Sequence, residues 1–163
     1  MAVAVGIFLA APTSSVAQTA PQPYDNVISA NPFGILLEWF NLEYERVISE
    51  SATIGAGGSI FTNDEKSYRN FDAFGRFYLR DQVLVGPMFG ARLGVTDVPD
   101  QGVHFGIGFD LNWSWLMGPK DNFYIGAGFG LKRLLGVDDD DSEDDSPLSY
   151  IPTFRIVNVG IAF

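Results

Sequence analysis

Cysteine is absent from the 163 residues and histidine occurs once, at His104. Without thiols there is no disulfide, no thiol nucleophile and no Cys-ligated zinc. A lone imidazole also excludes a multi-histidine metal site. Positive charge is scarce: 10 Lys and Arg stand against 20 Asp and Glu, a formal net charge of -10. That balance argues against a nucleic-acid partner, because phosphate binding needs a basic patch. The first 24 residues carry no charge. Their apolar run, Val3 to Ala11, falls well short of the roughly 20 residues that a membrane-spanning helix needs. What the chain does hold is apolar bulk and glycine: 47% hydrophobic residues, 14 Phe and 18 Gly, too apolar for disorder and long enough for one domain.

The N-terminal pattern reads as an export signal. Val3 to Ala11 is followed by Pro12, Thr13 and Ser14, and Ser15-Val16-Ala17 has the small-x-small form of a signal-peptidase site. The expectation is a signal peptide over 1–17, cleavage between Ala17 and Gln18, a periplasmic lead-in over 18–25 and a barrel over 26–163. No Lys or Arg precedes the apolar run, which leaves an upstream start or an internal Met1 open. No Cys follows the expected cleavage point, so a lipoprotein is not expected.

From Asn26 onward the hydrophobic period is two, the signature of strands. Val103, Phe105, Ile107, Phe109, Leu111, Trp113 and Trp115 alternate with His104, Gly106, Gly108, Asp110, Asn112 and Ser114. Phe71 to Leu79 alternates with Asn70, Asp72, Phe74, Arg76 and Tyr78. Val83, Val85, Pro87, Phe89, Ala91 and Leu93 alternate with Gln82, Gly86, Gly90, Arg92 and Gly94. Phe123 to Leu131 alternates with Tyr124, Gly126, Gly128, Gly130 and Lys132, and similar segments cover Ala52 to Ile60, Phe40 to Glu45 and Tyr150 to Phe163. An eighth is expected between Asn26 and Leu37, interrupted by Asn31-Pro32. Its apolar parity (Phe33, Ile35, Leu37, Trp39) is opposite to that of Phe40, Leu42 and Tyr44, so a turn or bulge is expected near Glu38-Trp39. The connections divide into short ones at Ile48 to Glu50, Arg80-Asp81 and Met117 to Asp121, and longer ones at Thr62 to Ser67, Thr96 to Gly102 and Gly136 to Ser149. Short turns on one rim and long loops on the other are typical of outer-membrane barrels.

Volume decides which face looks inward. An eight-stranded barrel encloses a space barely wide enough for side chains. The Phe- and Trp-rich face does not fit there, whereas Gly, Asp and Arg do. A closed barrel also pairs every backbone group, as hydrocarbon demands. Aromatics near strand ends (Tyr44, Tyr68, Trp113, Trp115, Phe123, Phe163) suit interfacial girdles. The expected fold is therefore all-β, an eight-stranded antiparallel up-and-down transmembrane β-barrel with both termini periplasmic.

Asn41-Leu42-Glu43-Tyr44-Glu45-Arg46, followed by a Gly-rich hairpin, resembles small bacterial outer-membrane β-barrel proteins of unknown function, of the OmpA/OmpX-like kind. The terminal Val159-Gly160-Ile161-Ala162-Phe163 is similar to the aromatic C-terminal signature read by barrel-assembly machinery. The resemblance spans Asn26 to Phe163. It implies fold, outer-membrane location and a partner for Phe163, and it implies no reaction.

Seven charges fall on inward parity: Glu43, Glu45, Asp72, Arg76, Arg92, Asp110 and Lys132. Unpaired, each carries a desolvation penalty of several kcal/mol, so a cross-strand network plugging the lumen is expected. Inward glycines leave room for the long Arg and Lys arms. Strict alternation from Val157 points Arg155 at lipid, so a bulge or parity change between Pro152 and Val157 is expected, or a position near the interface. Arg133 has outward parity and suits lipopolysaccharide phosphates or, equally, a salt bridge to the acidic run that follows. That run, Asp138 to Asp145, reads as a solvated, self-repelling loop, with a weak Ca²⁺ or Mg²⁺ site or recognition of a basic partner as alternatives. His104 lacks the His-x-Ser pattern of outer-membrane deacylases, since Phe105 and Gly106 follow it. No enzyme, cofactor or structural metal is expected. The expected role is structural or surface-interacting among outer-membrane lipids, with a narrow solute channel or a lipid-modifying enzyme as alternatives.

Overall fold

The computed structural model describes residues 24–34, 38–63, 66–80, 82–136 and 150–163. The expected signal segment and the acidic run at 138–145 lie outside them. Eight strands follow in chain order: β1 (Asn26–Ala30), β2 (Trp39–Val47), β3 (Ala52–Asn63), β4 (Lys66–Tyr78), β5 (Gly86–Val98), β6 (Gly102–Met117), β7 (Phe123–Leu135) and β8 (Tyr150–Ala162). Each pairs antiparallel with its neighbour in sequence, and β1 pairs with β8, so the sheet closes. Alternation makes this possible: a strand with period-two patterning offers one complete apolar face and one small or polar face.

The start of β1 and the end of β8 sit on one rim, called lower here. Asn26 and Phe163 exchange two backbone hydrogen bonds of 2.9 Å, and the amide of Val47 donates to the Asp25 carbonyl at 2.7 Å. The barrel therefore begins within the expected lead-in. Large apolar side chains cover the outside, with Phe71, Leu93, Phe109 and Phe129 each more than half exposed. Polar and charged side chains fill the inside.

The rims depart from the expected short and long pattern. Thr62 pairs with Ser67 and Asn63 with Lys66, so strands run through a segment expected to be a long loop. Thr96 likewise pairs with His104, and only Pro99, Asp100 and Gln101 connect β5 to β6. Left-handed backbone at Asp100 (φ 66°) and Gly102 (φ 85°) makes that tight reversal. Conversely, the lower connection expected to be short at Arg80-Asp81 is wider, with β4 ending at Tyr78 and β5 beginning at Gly86. Val83 and Leu84, expected at the start of a strand, are folded inward beneath the barrel, and β5 begins only at Gly86. Both are apolar and reach the closed lower end, which rewards burial by about 1.5–3 kcal/mol per side chain.

Those two residues anchor an apolar plug of Val27, Tyr78, Val83, Leu84, Met88, Tyr124 and Ala162, with Tyr24, Val47 and Leu116 packed against it. The Ser114 hydroxyl donates to the Leu84 carbonyl at 2.9 Å and holds the turn in place.

β1 is shorter than the segment expected over Asn26 to Leu37. The parity flip before β2 is made at Glu38, whose φ is 53°. Its carbonyl accepts from the Thr62 amide at 2.9 Å. The expected change near Arg155 is also present. Gly126 and Gly128 of β7 face Asn158 and Arg155 of β8, so β8 carries one extra residue there. This bulge turns Arg155 and Asn158 both inward and leaves Ile156 outward.

Candidate functional site

The interior of the barrel holds one connected layer of charge. β2 supplies Glu43 and Glu45, β4 Asp72 and Arg76, β5 Arg92, β6 Asp110 and β7 Lys132. These are the seven residues singled out by parity, and the structure brings them together. β8 adds an eighth, Arg155, so four carboxylates now face four cations.

The contacts form a chain. Lys132 Nζ lies 2.6 Å from Asp72, and Asp72 lies 3.3 Å from Arg92. Arg92 grips one oxygen of Asp110 with Nε at 2.9 Å and Nη2 at 2.7 Å. Asp110 is 3.9 Å from Arg76 Nε. Arg76 then reaches Glu45 at 2.6 Å and Glu43 at 3.0 Å, and Glu43 meets Arg155 at 3.0 Å. The planar guanidinium of Arg76 thus bridges two carboxylates, a geometry that an ammonium cannot supply. It also lies 4.0 Å over the Phe74 ring, which gives a desolvated cation–π contact.

Polar side chains take up the remaining donors and acceptors. Thr53 and Tyr78 donate to Glu45 at 2.6 and 2.8 Å. Lys132 donates to Asn70 and Thr96 at 2.7 and 2.9 Å. Tyr124 and Ser29 accept from Arg155 at 3.0 and 3.4 Å. The Asn112 amide donates to Asp110. Except for Ser29, whose strand is the least regular, and Thr96, expected in a loop, these partners were legible as inward parity in their own segments. Counting charges alone passed over them.

Glycine makes room for the arms. A Cβ at Gly126 would lie 2.2 Å from the Arg155 guanidinium, and one at Gly106 would lie 2.6 Å from Lys132 Cε. At Gly106 and Gly126 the missing side-chain volume thus belongs to cations from neighbouring strands, whereas a Cβ at Gly108, Gly128 or Gly130 would meet backbone, Asn112, Asp110 or Thr153 instead.

Above this layer the lumen widens into a cup of about 1020 Å³, whose inner wall includes Asn41, Ser59, Asn70, Thr96, Asn112 and Thr153. Trp39, Phe61 and Tyr68 carry the inward parity of their strands and edge the mouth, with ring centroids 6.4 and 6.2 Å apart. Tyr68, expected in an outer girdle, belongs to this mouth instead. On the outer face near the opposite rim, Trp113 and Trp115 stack at 6.2 Å.

The other candidates lie apart from the layer. Arg133 is exposed on the outside, 5.7 Å over the Tyr150 ring. His104 is at the upper rim, its Nε2 3.1 Å from the Gln101 carbonyl. Among the described residues no group of His, Cys, Asp and Glu is arranged to hold a metal ion. The lumen carboxylates are engaged by Arg and Lys instead.

No protein-family model matches the chain, and no curated protein or solved structure matches it either.

Proposed function

We propose that this barrel is an integral protein of a Gram-negative outer membrane, with a structural or surface-interaction role and a closed lumen. The observation that carries the reading is the inverted distribution of side chains. Arg76, Lys132, Glu45, Asp72 and Asp110 are almost fully buried, while Phe71, Phe109 and Phe129 stand open around the outside. A water-soluble barrel of this size would lose free energy on both counts, whereas in hydrocarbon the outer face is solvated and the paired interior is shielded.

Two seals support the closed lumen. The apolar plug blocks the lower end, and the charge layer fills the section above it. The exposed terminal Phe163 suits recognition by barrel-assembly machinery, and Arg133 beside Tyr150 suits a phosphate of lipopolysaccharide at the upper interface.

The test is fractionation of the exported protein, its gel migration with and without boiling, and planar-bilayer recording. Outer-membrane recovery, heat-modifiable migration and the absence of a steady conductance are expected. Recovery in a soluble fraction would overturn the membrane reading. Large ohmic conductance would replace the closed barrel with a channel.

A further inference from the structure

One inward rung of the lumen departs from the rest. The inside of a membrane barrel is ordinarily polar. On β2, β3 and β4 the rule holds below the mouth, with Asn41, Ser59 and Asn70 in one rung and Glu43, Gly57 and Asp72 in the next. The rung above them is Trp39, Phe61 and Tyr68, three aromatic side chains in direct register. Inward parity separates them from an interfacial girdle, whose rings face lipid. The rings of Phe61 and Tyr68 lie 6.2 Å apart and 38° from parallel, and Trp39 meets Phe61 edge to face at 6.4 Å. They do not close into a core: Phe61 is 38% exposed, and Trp39 and Tyr68 are half-buried. All three line the cup.

The charges around the cup leave no partner for an ionic guest. Lys66 is paired with Asp100 at 2.6 Å, Lys132 with Asp72 at 2.6 Å, Arg92 with Asp110 at 2.7 Å and Arg155 with Glu43 at 3.0 Å. Four cations thus close on four carboxylates. A charged guest would have to break one of these pairs or stay unpaired, and either costs free energy.

What remains on the wall is neutral and polar. Ser59 lies one inward step below Phe61, about 7 Å along the strand. Among the described residues its hydroxyl has no hydrogen-bond partner, and neither the Tyr68 hydroxyl nor the Gln101 side chain at the rim has one. Aromatic faces beside uncommitted hydroxyl and amide groups match one ligand class. A pyranose ring turns C–H groups toward the negative face of an aromatic ring, and its hydroxyls both donate and accept at the edge. An acyl chain would use the rings and leave the hydroxyls without partners.

We propose that this wall of the cup binds one ring of a neutral sugar within an extracellular glycan. The sugar stacks on Phe61 and Tyr68, with Trp39 flanking, and its hydroxyls meet Ser59 below and Gln101 at the rim. The charge layer and the apolar plug close the barrel beneath it, so the sugar is recognised and not passed through. This names the partner of the surface role proposed above, and rests on that reading for the cup facing the cell exterior.

The test uses the barrel refolded in a sugar-free amine-oxide detergent, titrated with methyl glucoside, methyl galactoside and cellobiose and followed by amide NMR shifts. Saturable shifts at Ser59, Phe61 and Tyr68 are expected from at least one of the three. Glucosamine and glucuronate, rings of similar size with one charge, should bind about tenfold more weakly. Phe61→Leu, which keeps apolar bulk and removes the aromatic face, should weaken binding about tenfold, and Ser59→Ala about fivefold. Tyr68→Leu gives a second measurement should Phe61→Leu fail to fold. Phe105→Leu, on the outer face of β6, should leave binding unchanged. Absent or non-saturating shifts with all three sugars would overturn the proposal. So would unchanged affinity in every folded site variant, or charged rings that bind as tightly as neutral ones. Binding is read on the refolded barrel, so it is judged separately from fractionation and conductance, which alone decide the membrane reading.

Discussion

Arg76→Met is the most informative single perturbation of the lumen. Arg76 lies at the junction of the charge chain, with contacts to Glu45 at 2.6 Å, Glu43 at 3.0 Å and Asp110 at 3.9 Å. Its removal affects these partners unequally. Glu43 keeps Arg155, and Asp110 keeps Arg92. Glu45 loses its cation and retains only hydrogen bonds from Thr53 and Tyr78, at 1% exposure. Leaving one buried charge uncompensated costs about 3–5 kcal/mol. The middle of that range is roughly a thousandfold in the folding equilibrium, at about tenfold per 1.4 kcal/mol. Urea titration of the folded barrel in detergent, followed by tryptophan emission and by the folded gel band, measures it. The double variant Arg76→Met/Glu45→Gln removes the stranded charge and keeps an acceptor for Thr53 and Tyr78, so most of the stability should return. A single variant within about 1 kcal/mol of the parent, well below the cost of a stranded buried charge, would refute the argument. So would a double variant as damaged as the single one.

Other expectations follow from the same geometry. Arg92→Ala should cost less than Arg76→Met in the same titration, because Asp72 keeps Lys132 and Asp110 keeps Asn112 and the edge of Arg76. Gly126→Ala should lower stability by about 1–3 kcal/mol through displacement of the Arg155 guanidinium, while Gly58→Ala, whose Cβ would meet nothing nearer than 3.5 Å, should be silent in thermal loss of the folded band. Leu84→Ala should cost about 2–5 kcal/mol by opening the lower plug, yet bilayer recordings should stay flat because the charge layer above it is intact. Phe109→Arg, on the outward face midway along β6, should impair folding into bilayers by about 2–4 kcal/mol; a gain in stability there would argue for water outside the barrel.

The strands and the faces they present were legible in the chain itself. Period-two alternation is a local property, so Val103 to Trp115 declares a strand and assigns Asp110 and Phe109 to opposite sides without reference to any neighbour. The volume argument then places Asp72, Arg76, Arg92 and Lys132 inside. Arg155 was legible only as a conflict, a cation on the wrong parity in need of a bulge. Closure decided the rest. Whether Arg76 meets Glu45 or some other acid depends on the register of β2, β3 and β4, and register is set by all the pairs together. Val83 and Leu84 look like strand residues by pattern, but the open lower end of a closed barrel offers them burial that no flat sheet would. The segment around Asn31-Pro32 shows the division most clearly. Proline and asparagine announce a break in the ladder, a fact of their own covalent structure. That the break falls beside the upper half of β8 exists only once the first strand has been brought around to the last.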